Sequence, residues 1–179
     1  MTGLKLHLGC GDKFIPGFKH IDLREAPHID HVCSIDHLPM IEDNSVELIY
    51  ACHVLEHFPR DKTAVVLKEW FRVLAPGGIL RLAVPDFEAI VKIYQQGTNL
   101  ESLMGLLFGG QDYQYNFHFR TFDFKSIEDL LLSLGFKKVY RYDWRQTVHK
   151  DIDDFSQAYL PHMAKETGTL MSLNIEAVK

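Results

Sequence analysis

The sequence predicts an α/β domain built on a doubly wound, open sheet, and three observations carry that prediction. Leu4–Leu8 alternates apolar and polar residues and then runs into Gly9-Cys10-Gly11. A second short run, His20–Leu23, places Asp22 near its end. A third run, Val46–Tyr50, is followed directly by small and polar residues. Because open α/β sheets bind ligands at the carboxyl ends of their strands, the three ends predict one shared site.

Composition indicates one globular domain over residues 1–179, since 46% of the residues are apolar and 24% are charged. A net charge of −5, without any Lys/Arg run, disfavours a nucleic-acid partner. Three cysteines without a CxxC pair indicate a reducing cytoplasm. No signal-like leader is expected, and the longest apolar stretch, Leu103–Phe108, is too short to span a bilayer. We therefore expect a cytoplasmic protein without a membrane partner.

Seven short runs have the composition of strands, rich in Leu, Ile and Val and bounded by turn residues. Asn44-Ser45 precedes the fourth run, and Pro85-Asp86 closes the fifth. In the seventh, Leu173, Ile175 and Ala177 share one face. The predicted strands are Leu4–Leu8, His20–Leu23, Ile29–Cys33, Val46–Tyr50, Ile79–Val84, Phe136–Tyr142 and Ser172–Val178.

Helical patterns lie between the strands. Asp61 is expected to cap the first helix, which has a wide apolar face and stops at Ala75–Gly78. Ser126-Ile-Glu-Asp129 looks like an acidic variant of a capping box at the start of the last helix. The predicted helices are Asp61–Leu74, Phe87–Gln96, Leu100–Phe108 and Ile127–Leu134.

Two segments lack a regular pattern. Residues 109–123 carry two tyrosines, three phenylalanines, His118 and Arg120, and loops of this length in compact domains are typical of functional lids. An aromatic loop that only covers the core is the alternative. Residues 149–167 are polar and acidic, and we expect a variable insertion there with a short helix and flexible flanks.

The glycine turn favours one kind of nucleoside. A dinucleotide fingerprint, G-x-G-x-x-G, requires a third glycine where this chain has Phe14. Asp22 follows Gly11 by eleven residues, where that fingerprint expects about twenty. A nucleotide-dependent oxidoreductase is therefore disfavoured. A ligand with an adenosine end but no phosphate, such as S-adenosylmethionine, fits the turn better.

Several separated segments together resemble the class I S-adenosylmethionine-dependent methyltransferases of the small Methyltransferase-11-like type. The resemblance covers about Leu4 to Tyr140, and the order and spacing of its segments make it specific. These segments are Leu8-Gly9-Cys10-Gly11 with Asp22, Leu38-Pro39, Asp43–Tyr50, His53-Val54-Leu55-Glu56-His57, Arg72–Gly78 and Leu134-Gly135-Phe136.

That resemblance implies a Rossmann-like three-layer αβα sandwich with a seven-stranded, mostly parallel sheet whose last strand is antiparallel. The glycine turn would hold the methionine end of the cofactor, Asp22 its ribose, and Cys52 and His53 would lie near the transferable methyl group. The full implied cofactor set is Leu8, Gly9, Cys10, Gly11, Asp22, Leu23, Ile35, Asp36, Cys52 and His53.

The sequence departs from the family pattern at two places. The helix that usually follows the glycine turn is shortened to Asp12–Lys19, which contains Pro16 and Gly17. The acid that often binds the adenine amino group is replaced by Ser34. Asp36 or the Ile35 backbone is expected in its place.

Methyl transfer from a sulfonium is an in-line displacement that depends on holding the nucleophile close and collinear. A hydroxyl acceptor also needs a base, and His53 and His118 are the candidates. Tyr113, Tyr115 and Arg120 of the lid are expected to contact the acceptor.

The histidine spacing predicts no metal site. His53 and His57 are four residues apart, but Glu56 occupies the wrong position for H-E-x-x-H. His28, His31, Cys33 and His37 lack the spacing of a four-ligand zinc site.

The sequence thus predicts a methyltransferase that uses S-adenosylmethionine, releases S-adenosylhomocysteine and methylates a small-molecule or carbohydrate-like acceptor, through oxygen. A non-catalytic cofactor- or partner-binding protein on the same fold is the alternative. The acceptor's identity and the oligomeric state are not encoded in any recognisable motif.

Overall fold

The computed structural model describes residues 3–179, and its centre is a seven-stranded sheet in the order β3-β2-β1-β4-β5-β9-β6. A separate two-stranded sheet pairs β7 with β8. In chain order the strands are β1 (Leu4–Leu8), β2 (Lys19–Asp22), β3 (His31–Val32), β4 (Val46–Cys52), β5 (Leu74–Pro85), β6 (Lys138–Arg141), β7 (Tyr159–Leu160), β8 (Thr169–Leu170) and β9 (Ser172–Val178).

Strand pairing brings the predicted strand ends together. Strands β1 to β5 pair in parallel with one another, and Leu8 is opposite both Ile21 and Ala51. The last strand, β9, is antiparallel to both β5 and β6. The predicted α/β fold, with a mostly parallel sheet and an antiparallel last strand, is therefore confirmed.

Two helices cover one face of the sheet. The four α-helices are α1 (Thr63–Val73), α2 (Phe87–Gln95), α3 (Met104–Phe108) and α4 (Phe124–Ser133). Helices α1 and α4 bury apolar stripes, including Trp70 and Leu131, against Leu6, Leu8 and Ile49 of the strands. Single 3₁₀ turns cover Leu55–His57, Leu100–Leu103, Trp144–Gln146 and Phe155–Gln157.

The opposite face of the sheet combines buried polar side chains with a small apolar cluster around Leu48, and it is covered differently from a complete αβα sandwich. Its cover consists of residues 12–18 and 144–157, which contain only turns and 3₁₀ segments. Tyr50 from the sheet donates a hydrogen bond to Asp154 Oδ2 at 2.6 Å, and its ring lies 4.1 Å from that of His149. Burial, and then the charges of other histidines, lower the pKa of His7 on this face to about 3.

The shortened helix expected over Asp12–Lys19 is absent from the structure. The Ile15 amide donates to His20 Nε2 at 2.9 Å, and Gly17 adopts a φ of 82°. Both features oppose a helix, because a side chain takes up a backbone donor and a left-handed residue breaks the helical path.

Two predicted helix starts were wrong. No side chain caps α1; instead the amides of Lys62 and Thr63 both donate to the Pro59 carbonyl. Asp123, rather than Ser126, caps α4, and the Ser126 hydroxyl completes the capping box in return, so the helix begins at Phe124.

Other differences concern strand limits and the insertion. The strand expected over Ile29–Cys33 shortens to β3, because only Ile21 and Asp22 of β2 pair with it. The Ala75–Gly78 segment lies inside β5. Residues 149–167 contain the 3₁₀ turn at Phe155–Gln157 and strand β7. Within residues 3–179, no helix has the length and apolarity needed to cross a bilayer.

Replacing His7 with Phe should reduce the acid sensitivity of folding. A histidine with a folded pKa of about 3 and an ordinary unfolded pKa of 6.5 binds its proton mainly in the unfolded chain, so stability falls as the pH drops from 6.5 towards 3. We expect wild type to lose about 1.4 kcal/mol more per pH unit in that window than the variant. Urea unfolding at pH 7.5, 6.0 and 5.0 measures this, and equal slopes for both proteins would contradict it.

Candidate functional site at the strand ends

Backbone conformation and close packing require glycine in the turn after β1. Gly9 and Gly11 have φ values of 62° and 58°, and the Gly9 amide donates to the Ile21 carbonyl at 2.8 Å. A Cβ on Gly9 would lie 2.5 Å from Cγ2 of Val54. The turn therefore packs directly against the segment that follows β4.

Asp22 ties the end of β2 to this turn. Its side chain is buried; Oδ2 accepts from the Gly11 amide at 2.8 Å, and Oδ1 accepts from the Arg24 amide at 2.9 Å. Arg24 Nε also donates to Oδ1 at 3.5 Å, so of the roughly four acceptor positions of a carboxylate the free one lies on Oδ2.

The other residues expected at the cofactor are placed unevenly. Leu8 and Ile35 are buried in the core, and the Ile35 carbonyl accepts from Trp70 Nε1 at 2.8 Å. Leu23, directly after Asp22, is exposed, as is Asp36. The structure thus brings Gly9, Cys10, Gly11 and Asp22 together at the strand ends.

Both cysteines near the strand ends are protonated thiols. Burial, and then the Asp22 charge, raise the pKa of Cys10 to about 12. Burial likewise raises the pKa of Cys52, whose side chain packs against the apolar cluster that contains Leu48 and Tyr50. Neither thiol is poised as a nucleophile, because the thiolate is the reactive form.

His53 follows β4, and its ring is held by a hydrogen bond at Nε2. Its backbone has a φ of 51°, and its Nε2 lies 3.1 Å from Ser172 Oγ. The Ser172 hydroxyl donates to Asn174 Oδ1, so the His53 Nε2–H donates to Ser172 and Nδ1 carries the lone pair. That Nδ1 faces Oε1 of Glu56 at 3.4 Å. Burial lowers the pKa of His53 to about 3.

Glu56 is fully buried, and neither carboxyl oxygen has a hydrogen-bond partner among the described residues. Burial raises its pKa to about 8. His118 Nε2 lies 4.0 Å from Glu56 Oε1, and the rings of His57 and His118 are 4.8 Å apart. We define His53, Glu56, His57 and His118 as the imidazole–carboxyl cluster.

The sequence alone did not single out Glu56. It stands in the His-Val-Leu-Glu-His run, where it served only to exclude a zinc motif. A signal that could have marked it is an acid in a segment that otherwise holds only apolar residues and histidine, shortly after a predicted strand. Its partner His118 lies far along the chain, so no spacing pattern connects them.

A cavity of about 410 Å³ adjoins this cluster on the side of the long irregular segment, with His118 in its wall. Arg60 and Arg120 also line it, together with Leu107, Phe108, Phe119, Thr121 and Ser126. Burial, and then the charge of Arg60, lower the pKa of Arg120. Of the three expected acceptor contacts, Arg120 lines the cavity, whereas Tyr113 and Tyr115 are exposed on the outer part of the segment.

Comparison with known proteins gives two kinds of match. A model of the methyltransferase domain family matches residues 18–82, from just before β2 into β5. No curated protein matches the sequence.

Solved structures match over nearly the whole chain. A Burkholderia thailandensis 1,6-didemethyltoxoflavin-N1-methyltransferase, with that compound and S-adenosylhomocysteine bound, gives a TM-score of 0.63 at 15% identity and covers 99% of this chain and 71% of its own. A possible histamine N-methyltransferase from Thermotoga maritima gives 0.63 at 17% identity, with coverages of 100% and 83%. An Archaeoglobus fulgidus methyltransferase gives 0.59 at 14%, with 99% and 86%. At these identities the likeness shows the fold.

The strand order, the glycine turn and these structural matches define a class I methyltransferase fold. Within this fold, the methyltransferase-domain model covers residues 18–82, the part of the chain that carries Asp22, strand β4 and the segment after it.

Substituting Gly9 by Ala should destabilise the fold more than the same change at Gly17. Both glycines have positive φ, but only Gly9 faces a neighbour, Val54, at the position of the new methyl group. We expect Gly9→Ala to cost about 1–3 kcal/mol beyond Gly17→Ala in the free energy of unfolding. Urea titration measures both, and adding Val54→Ala to Gly9→Ala should recover part of the loss. Equal costs for the two single variants would contradict the close packing.

Proposed function

We propose that the protein transfers a methyl group from S-adenosylmethionine to an oxygen of a small-molecule or carbohydrate-like acceptor that carries an anionic group. The observation that carries this proposal is the cavity beside the imidazole–carboxyl cluster, with Arg60, His118 and Arg120 in its wall. Its volume suits a small acceptor, and its two guanidinium groups suit a carboxylate or phosphate.

The cofactor has a natural place at the glycine turn. Gly9 and Gly11 give the turn its left-handed backbone shape, and Asp22 Oδ2 retains acceptor capacity for a ribose hydroxyl. We propose that Leu23 supports the adenine and that Leu8, Cys10 and Cys52 contribute through the backbone around the methionine end. Ile35 and Asp36 are the proposed neighbours of the adenine amino group.

The imidazole–carboxyl cluster supports methyl transfer to an oxygen atom of the acceptor. A hydroxyl must lose its proton as the methyl group arrives, whereas a neutral amine already offers a lone pair. A carboxyl group and three imidazoles stand beside the cavity and the end of β4. His118 faces the cavity and is the proposed contact for the acceptor oxygen. His53, bonded at Nε2 to Ser172 and facing Glu56 with Nδ1, is better placed to position Glu56 than to touch the acceptor.

The long segment 109–123 is proposed to close over the acceptor. It is fixed at its base, because the Phe119 amide donates to the Glu56 carbonyl at 2.8 Å and the His118 amide to that of Phe108 at 3.0 Å. Tyr113 and Tyr115 stand exposed farther out and offer aromatic faces to a sugar ring or an arene.

An assay of S-adenosylhomocysteine release over an acceptor panel tests the proposal. The panel contains hydroxy acids, phenolic acids, sugar phosphates and, as the competing class, amines such as histamine. Turnover of anionic hydroxyl compounds supports the proposal. Turnover confined to amines would overturn the direction to oxygen, and the N-methyltransferase names of two structural neighbours make amines the informative comparison.

Replacing Asp22 with Asn should weaken cofactor binding. The amide keeps the shape but loses the charge that strengthens hydrogen bonds from ribose hydroxyls, so we expect the Kd for S-adenosylhomocysteine to rise about 10- to 100-fold. Isothermal titration calorimetry measures this. Asp12→Asn, on the exposed loop beyond the glycine turn, removes the same charge and serves as the control. Unchanged binding by folded Asp22→Asn would contradict the ribose assignment.

Replacing Arg120 with Ala should raise the KM for an anionic acceptor about tenfold or more, because one guanidinium–anion contact is lost. The KM for S-adenosylmethionine should stay as in wild type. Arg145→Ala removes an arginine that stacks on Trp144 instead of lining the cavity, and is the matched control. Steady-state kinetics with the acceptor found in the panel give both constants. An equal effect on both substrates would point to misfolding and contradict the role of Arg120.

A further inference from the structure

We propose that Glu56, His57 and His118 form a binding site for one divalent transition-metal cation. The three residues offer one carboxylate oxygen and two imidazole nitrogens, all within 4.8 Å of one another. Ligands of a single ion at 2.0–2.2 Å lie at most about 4.3 Å apart, so small side-chain rotations complete the contact.

The protonation pattern of the two histidines points the same way. His57 Nδ1–H donates to the Phe117 carbonyl at 3.1 Å, and His118 Nδ1–H donates to the Leu106 carbonyl at 3.0 Å. Because a carbonyl only accepts, each neutral ring carries its lone pair on Nε2. A backbone carbonyl on the distal nitrogen is the arrangement that orients histidines bound to metals.

The cluster therefore contains acceptors without donors. Glu56 is fully buried and neither oxygen is hydrogen-bonded within residues 3–179, while His118 Nε2 faces it at 4.0 Å. The His53 lone pair on Nδ1 also faces Glu56, at 3.4 Å. A single proton satisfies one of these lone pairs, whereas a cation satisfies three together. Buried polar groups without partners are rare, and such a group aimed into a cluster of ligands is accounted for by an ion.

The backbone holds the ligands in place before any ion binds. Glu56 and His57 lie in the 3₁₀ turn Leu55–His57, and the Phe119 amide donates to the Glu56 carbonyl, which fixes the neighbouring His118. Three protein ligands leave coordination positions open, and His118 lines the cavity. The cation is thus positioned to bind an acceptor oxygen and lower the pKa of its hydroxyl. This role rests on the proposed function; the cation site itself does not.

Metal binding by the full chain tests the site without any acceptor. Protein freed of metal with EDTA and dialysed is titrated with ZnCl₂, MnCl₂ or MgCl₂ by calorimetry and by thermal unfolding. We expect one ion per chain for Zn²⁺ or Mn²⁺, with a rise in Tm. His118→Ala should weaken binding about 100-fold or more. His37→Ala removes an exposed histidine and should bind as wild type.

The Glu56→Gln variant distinguishes a metal-binding role of Glu56 from a purely structural one. Its amide donates hydrogens to lone pairs that face Glu56, so the metal-free variant should be at least as stable as wild type, yet gain no Tm from the ion. Equal binding by wild type and His118→Ala would overturn the site, as would an unchanged metal-induced Tm shift in Glu56→Gln.

S-adenosylhomocysteine release with and without EDTA then separates the two proposals. Turnover that is lost with EDTA and restored by Zn²⁺ or Mn²⁺ supports the role of the cation at the acceptor. Full turnover without metal overturns that role while methyl transfer to oxygen stands. Metal binding without turnover of any hydroxyl compound supports the site and overturns the proposed acceptor class.

Discussion

The hydrogen bond from the Gly11 amide to the Asp22 carboxylate is the constraint on which the strand-end site depends. It joins the turn after the first strand to the end of the second, and the neighbouring bond from Gly9 to the Ile21 carbonyl fixes the height of that turn. Because no side chain grows from Gly9, Val54 packs against the turn itself. The segment that begins at His53 is thereby set beside it, and the geometry of the imidazole–carboxyl cluster follows from this placement.

The strands of the sheet, and the part of the site formed by the glycine turn and Asp22, could be predicted from the sequence because both are encoded in short stretches of chain. Buried strands are encoded as short apolar runs. The parallel strand β1 matches its expected limits, and so does the antiparallel β9, with Leu173, Ile175 and Ala177 on the core face. The glycine turn and Asp22 lie within one short stretch of chain. The cluster around Glu56 could not be predicted, since its geometry depends on carbonyls and side chains from remote segments. The roles of individual site residues stay predictions.

The incorrect helix assignments share a physical cause, competition for backbone amides. In the loop after the glycine turn, the Ile15 amide is taken by the His20 ring, and no helix forms. At the start of α4, Asp123 and Ser126 are both good caps, and each bonds the other's amide. The Phe87 amide donates to the Phe122 carbonyl, which fixes the chain just before Asp123. Residue propensities allow more than one helix start, and tertiary contacts determine which of them forms.

The sheet face covered by residues 12–18 and 144–157 affects the thermodynamics of the whole domain. Beside its small apolar cluster, this face buries Tyr50 bonded to Asp154, and Arg81 bonded to Glu176 at 2.7 Å. Exposure of apolar surface on unfolding raises the heat capacity, and exposure of polar surface lowers it. Because polar side chains take up part of this layer, the domain has a smaller heat-capacity change on unfolding than one with a fully apolar layer, and hence a flatter curve of stability against temperature.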